Sequence, residues 1–161
     1  MDRWYFPLRA VRQPDHNGCA IACLATICGL SYERAKAEAF PRRRSFSDNP
    51  SIRLDDRRML AAFRRLGFRA TVEPTHEGLR CPCVLYYECD PGIAGSLVHA
   101  LVWDPFAERC IDPAEDDGKL SAGDQSAALD RWRRTGWSVI AVRGKLAPTR
   151  GLVVNAVSLL W

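Results

Sequence analysis

Gln13-Pro14-Asp15-His16-Asn17-Gly18-Cys19-Ala20-Ile21-Ala22-Cys23-Leu24 is the stretch on which the reading of this chain turns. Polar residues close on a glycine, and a run of small and apolar residues opens at Cys19. The pattern predicts a helix from Cys19 to Cys28, stopped at Gly29, a good C′ residue. A thiol then stands at the helix N-terminus, and that placement has chemical consequences. Thiols attack carbonyls as thiolates, and a helix N-terminus plus a nearby imidazolium lowers a thiol pKa from about 8.5 to roughly 3.5–7.5. Gln13, six positions earlier, offers a side-chain amide that can act with the Cys19 backbone N–H to bind the oxyanion of an attacked carbonyl.

The partners of Cys19 are sought on a predicted hairpin. Ser96-Leu97-Val98-His99-Ala100-Leu101-Val102-Trp103 reads as a buried strand, Asp104-Pro105-Phe106-Ala107 as a turn, and Glu108-Arg109-Cys110-Ile111-Asp112 as the returning strand. If the hairpin is symmetric about the Pro105–Phe106 bond, His99 faces Asp112 directly. Facing Cβ atoms lie about 4.5–5.5 Å apart, close enough for a carboxylate to accept the imidazole N–H and fix its tautomer. Asp104 competes for this role, but its odd offset from His99 puts it on the other face of the strand.

Together these residues resemble the papain-like cysteine peptidases, and specifically the bacterial family that removes double-glycine leader peptides from bacteriocins and related export substrates. The resemblance rests on Gln13 six positions before Cys19, on Ala22-Cys23-Leu24 just after it, and on His99 followed by Asp112-Pro113; it spans roughly residues 8 to 143. Ala20 stands where that family usually has glycine, with Gly18 in front instead. Many members are fused to a membrane ABC exporter, which these 161 residues do not include. The resemblance implies a papain-like α+β fold and cleavage after small residues such as glycine; no cofactor is expected.

Composition narrows the alternatives. A chain of 161 residues with 47% hydrophobic content can bury a full core, and one domain over 1–161 is expected. No early stretch has signal-peptide character, and no run approaches the roughly 18 apolar residues of a transmembrane helix. The seven cysteines are odd in number and irregular in spacing, which fits free thiols and a cytoplasmic location. Net charge is +4, with arginines clustered at Arg42-Arg43-Arg44, Arg57-Arg58 and Arg64-Arg65. Acidic residues interrupt them and no nucleic-acid motif accompanies them, so no nucleic-acid partner is expected. Solvated helix faces, or attraction of an acidic peptide or protein, explain these clusters.

Along the chain, helices come first and strands second. Ser31 caps a second predicted helix through about Phe40, ended by Pro41. Pro41 to Pro50 reads as a surface loop. A third helix runs from about Asp55 to Leu66, with acidic residues at its positive end, Met59, Phe63 and Leu66 on one face, and Gly67 as stop. Strands follow at Phe68 to Glu73, Val84 to Glu88, Leu97 to Trp103, Arg109 to Asp112 and Trp137 to Val142, with a helix from about Ser126 to Thr135 before the last. This order is α+β with a mainly antiparallel sheet.

Each singled-out residue also has a plainer reading. A cysteine within a small-residue helix is ordinarily a small hydrophobe, which suffices for Cys23 and Cys28. A histidine on an apolar strand is ordinarily a core residue. Cys19 and His99 rise above this because Gln13 and Asp112 accompany them. Cys81-Pro82-Cys83, Cys89 and Cys110 lack the paired CxxC knuckles of zinc sites, so no metal is expected. His16 and His76 read as loop residues. The expected chemistry is acyl transfer to water by a Cys19, His99 and Asp112 triad with Gln13 at the oxyanion, on a peptide or protein substrate. Transamidation, deamidation by an effector or toxin, and silent peptide binding are the other readings. A neighbouring exporter or inhibitor gene would separate them.

Overall fold

A computed structural model describes residues 7–14, 18–41, 54–89, 98–115, 118, 120 and 122–145. Three helices precede the sheet: α1 (Cys19–Cys28), α2 (Tyr32–Ala39) and α3 (Asp56–Arg65). Strands β1 (Phe68–Glu73), β2 (Cys83–Glu88), β3 (Val98–Asp104) and β4 (Arg109–Ile111) follow, then α4 (Ala122–Thr135) and β5 (Gly136–Lys145). The expected α+β order is present. The expected surface loop between Pro41 and Pro50 falls almost wholly outside the described residues, as does His16.

The helix boundaries follow from their end residues. Gly29 adopts a left-handed φ of 65° and returns its N–H to the Ala25 carbonyl, closing α1. Ser31 accepts the Arg34 N–H at the start of α2, and Asp55 accepts the Arg58 N–H at 2.8 Å at the start of α3. Arg64 and Arg65 occupy the negative end of α3, where cations are favoured. Arg57, Arg58, Arg64 and Arg65 all lie on its exposed face, while Met59, Ala62 and Phe63 are buried.

The five strands are antiparallel and stand in the order β1-β5-β2-β3-β4. β5, last in sequence, therefore inserts between β1 and β2. β2 is consequently central and buried on both faces, which explains its unbroken apolar run. Val84 and Tyr86 point toward α1, α2 and α3, where Ile21, Leu24 and Phe63 complete the main core. Cys83, Leu85 and Tyr87 point to the opposite face, covered by Trp132 and Ala128 of α4. Full burial of each large apolar side chain contributes about 1.5–3 kcal/mol, so both layers hold the sheet.

The β3–β4 hairpin departs from the expected register by two residues. Val102 pairs with Ile111, Trp103 with Cys110 and Asp104 with Arg109. The cause is the turn. The Asp104 carboxylate accepts the N–H groups of Phe106 at 3.1 Å and Ala107 at 3.3 Å, and Glu108 takes a left-handed φ of 49°. These bonds build a four-residue connection, Pro105 to Glu108, in place of the shorter symmetric turn. β4 then ends at Ile111, and Asp112 lies just beyond it. A shift of two preserves which face each side chain occupies.

Candidate active site

α1 packs its small residues against β3, and its first residue is Cys19. Gly18 is the N-cap and has no side chain to occupy the first-turn N–H groups of the helix. Cys19 Sγ lies 3.9 Å from the Val98 carbonyl oxygen, at the beginning of β3. The next residue on that strand is His99. The thiol thus meets the imidazole where the end of the helix reaches the end of the strand.

His99 Nε2 donates to Asp112 Oδ1 at 2.8 Å. The Cys19 thiol acts on the same imidazole and favours its charged form. The pair that the symmetric hairpin brought face to face is therefore in contact by another route: Asp112 reaches back diagonally from the loop after β4. That loop is well fastened. Asp112 Oδ1 also accepts the Ala114 N–H at 2.8 Å, the Asp112 N–H donates to the Gly118 carbonyl, and the Glu115 N–H donates to the Asp112 carbonyl. Gly118 has φ of 69°, and a Cβ there would collide with Ala10 and stand 2.7 Å from Ile111 Cγ2. Glycine permits this approach of the loop to the N-terminal segment.

The same N-terminal segment carries Gln13. Leu8 is buried in the main core, the Val11 N–H donates to Thr26 Oγ1 at 3.0 Å, and the Gln13 N–H donates to the Pro113 carbonyl at 2.8 Å. Thr26 lies on α1 and Pro113 follows Asp112. The main chain of Gln13 is thus tied to the loop that presents the carboxylate, and its side chain is partly buried.

Electrostatics favour a charged His99. Burial pulls its pKa down and is the largest single influence. Hydrogen bonds to Asp112 and Cys19, with the charges of both, together outweigh burial and lift it to about 9. Cys23, one turn further along α1, goes the other way: burial first, then the charges of Cys19 and Asp112, hold its thiol well above the usual range. Cys23 is a core residue and stays protonated. Asp104 is occupied with the turn and takes no part at His99.

Tyr87 is the neighbour that sequence reading overlooked. It pairs with His99 across β2 and β3, and the two rings meet edge to face at 5.6 Å. The Arg131 guanidinium of α4 lies 5.9 Å from the centre of the Tyr87 ring. Burial, then the charges of Asp112 and Cys89, push the phenol up to about 12, so it remains neutral. Counting the β2–β3 register would have revealed this neighbour. His76 lies in the connection between β1 and β2, as expected of a loop residue, yet it is 4% exposed and wedged between Trp103 and Trp132. Among the described residues, no group of three His, Cys, Asp or Glu side chains is arranged to hold a metal ion, and no helix is long and apolar enough to cross a membrane.

The fold has counterparts among solved structures. A double glycine motif protease from an AMS/PCAT transporter, determined in complex with the leader peptide, matches over 86% of this chain and 93% of its own, with a TM-score of 0.58 and 16% identity. The peptidase domain of Streptococcus ComA, a bifunctional ABC transporter involved in a quorum-sensing pathway, matches over 86% of this chain and 100% of its own, with a TM-score of 0.51 and 12% identity. The architecture is therefore α+β and papain-like. Within that class it is the fold of double-glycine peptidase domains. No protein-family profile and no curated protein sequence matches the chain.

Proposed function

We propose that the protein is a cysteine peptidase in which Cys19 is the nucleophile, His99 the general acid and base, Asp112 the orienting carboxylate and Gln13 an oxyanion donor. The observation that carries this reading is His99 held between Asp112 and Cys19 with its pKa lifted to about 9. An imidazolium at neutral pH stabilises a thiolate beside it, and the positive N-terminal end of α1 favours the same negative charge.

The thiolate of Cys19 attacks a peptide carbonyl. Negative charge passes to the carbonyl oxygen, where the Cys19 N–H and the Gln13 amide donate to it. His99 gives its proton to the leaving amine as the C–N bond breaks, leaving a thioester on Cys19. Water then attacks the thioester, His99 takes its proton, and the acid product departs as the thiolate returns. Asp112 holds the ring orientation throughout, and Tyr87 packs on the ring beside it. In substrate class we favour a peptide cleaved after small residues, as in a double-glycine leader, and we favour a reducing, cytoplasmic setting for seven free thiols.

The test is turnover of a synthetic leader peptide ending in Gly-Gly and followed by a reporter segment. Cleavage by the wild type, with none by Cys19→Ala, supports the reading. Equal cleavage by both proteins, or no cleavage of any small-residue peptide by a folded wild type, refutes it.

A further inference from the structure

We propose that Cys81 and Cys83 form a second thiol site, separate from Cys19, which closes reversibly into an intramolecular disulfide on exposure to a hydroperoxide. The two cysteines flank Pro82 at the entry to β2. Both belong to the apolar cluster beneath α4. Cys83 Sγ is 3.2 Å from the Cys81 carbonyl oxygen, so its side chain is turned back toward residue 81, and the two thiols hydrogen-bond each other.

Chain geometry permits the bond. Two residues span at most about 7 Å even when fully extended, and the chain bends at Cys81. A ceiling of about 7 Å lies just above the roughly 4.4–6.8 Å between Cα atoms that disulfides span. Pro82 fixes its own φ, and its carbonyl accepts the Val142 N–H at 2.9 Å, which anchors the bend to β5. Little freedom remains to be lost on closure.

The two thiols differ in the way a redox pair requires. Cys81 is 8% exposed and Cys83 is 0% exposed, so an oxidant meets Cys81 first. The Cys83 thiol's hydrogen bond, working against burial and aided by the Arg143 charge and the Val142 N–H, pulls the Cys81 thiol down to about 7. The same hydrogen bond and burial push Cys83 up. Elsewhere burial works against reactivity, holding Cys110 up at about 12 and Cys23 well above its usual range. Cys83 lies four positions along β2 from Tyr87, about 13 Å away, so the pair is remote from His99.

In the oxidation, the Cys81 thiolate attacks one peroxide oxygen, the O–O bond breaks, and the departing oxygen takes up a proton to leave as water. Cys81 becomes a sulfenic acid. Cys83 sulfur then displaces its hydroxyl, which leaves with the Cys83 proton as a second water while the S–S bond forms. Two thiols are oxidised and one hydrogen peroxide is reduced to two waters. A dithiol reductant reverses the change. Intracellular disulfides of this transient kind are typically redox-sensing.

The test treats the reduced Cys19→Ala protein, in which the more reactive thiol cannot consume the oxidant, with one equivalent of hydrogen peroxide, blocks remaining thiols with N-ethylmaleimide, and cleaves after arginine. The fragment between Arg80 and Arg109 contains Cys81, Cys83 and Cys89. The expected product carries label on Cys89 alone, is two hydrogens lighter at the other pair, and regains both thiols with dithiothreitol. In Cys83→Ser, Cys81 should instead accumulate as a sulfenic acid trapped by dimedone. If that variant does not fold, the fragment that retains both Cys81 and Cys83 decides alone. Label on both Cys81 and Cys83 after other thiols have been oxidised, or a disulfide joining either to a different cysteine, overturns the proposal.

Discussion

His99 and His76 are both withdrawn from water and both lie against aromatic rings, yet their environments drive them to opposite charge states. His76 sits between Trp103 at 5.1 Å and Trp132 at 4.9 Å, and its Nδ1 is buried with no hydrogen-bond partner among the described residues. Burial lowers its pKa; the flanking Glu77 raises it and Arg133 lowers it, and those two pair with each other at 3.7 Å. Burial pulls the pKa of His99 down as well, but His99 has Asp112 at 2.8 Å and the Cys19 thiol beside it. The lesson is that burial alone gives a neutral wedge, whereas burial beside a carboxylate and a thiol gives a cation that can serve as an acid.

Removing the charged member should have the largest effect. His99→Ala is expected to lower kcat by about 10²–10⁴, the usual range for loss of an acid–base group, whereas His76→Phe should leave kcat near wild type. Steady-state kinetics on a cleavable leader peptide measures both, and equal losses would erase the contrast. Gln13→Ala comes next, at about 10²–10³ in kcat with KM and melting temperature little changed, because an oxyanion donor acts mainly in the transition state. An unfolded variant, or one with full kcat, would make Gln13 structural.

The two aspartates of the hairpin sharpen the comparison. Asp112→Asn keeps an oxygen able to accept from His99 Nε2 and the Ala114 N–H, so its kcat loss should be smaller than that of His99→Ala. Asp104→Ala removes two turn hydrogen bonds and should cost about 0.5–1.5 kcal/mol of stability for each, with turnover per folded molecule retained. A larger kcat loss in Asp104→Ala than in Asp112→Ala would reverse these roles.

The effects of pH on stability have opposite signs at the two histidines. The raised pKa of His99 contributes stability fully present below about pH 6.5, the unfolded value, and lost as pH rises through about 9. The lowered pKa of His76 contributes stability present above about pH 6.5 and lost as pH falls through its folded value. Melting temperatures across pH should therefore show His99→Gln flattening the alkaline side and His76→Phe the acid side. Any exchange of those two signatures would contradict the assignment of charge states.

Much of this arrangement could be read from local residues. Caps and glycine stops marked α1, α2 and α3 to within a residue or so, because such signals act over a single turn. Cys19 at a helix start is equally local. The position of β5 between β1 and β2 was not legible, since strand order is decided by which faces bury together, not by any one segment. The hairpin register escaped for a smaller reason: Asp104 bonds its own turn and lengthens it. α4 begins at Ala122, four residues ahead of expectation, and Gln125 in this first part bridges the Cys110 N–H and the Leu120 carbonyl. Burial of His76 depends on Trp103 and Trp132, far from it in sequence, so no reading of residues 74–80 alone reveals it.

The central claim is that His99 holds Cys19 in a reactive ion pair. It is tested most directly by alkylating the folded protein with sub-stoichiometric iodoacetamide at about pH 6, where ordinary thiols are almost wholly protonated, and mapping the label in wild type and His99→Gln. The account predicts label on Cys19 ahead of all six other cysteines, and a sharp loss of that preference in the variant. Label going first to Cys81, Cys83 or Cys89, or Cys19 labelling that does not change when His99 is replaced, would contradict it.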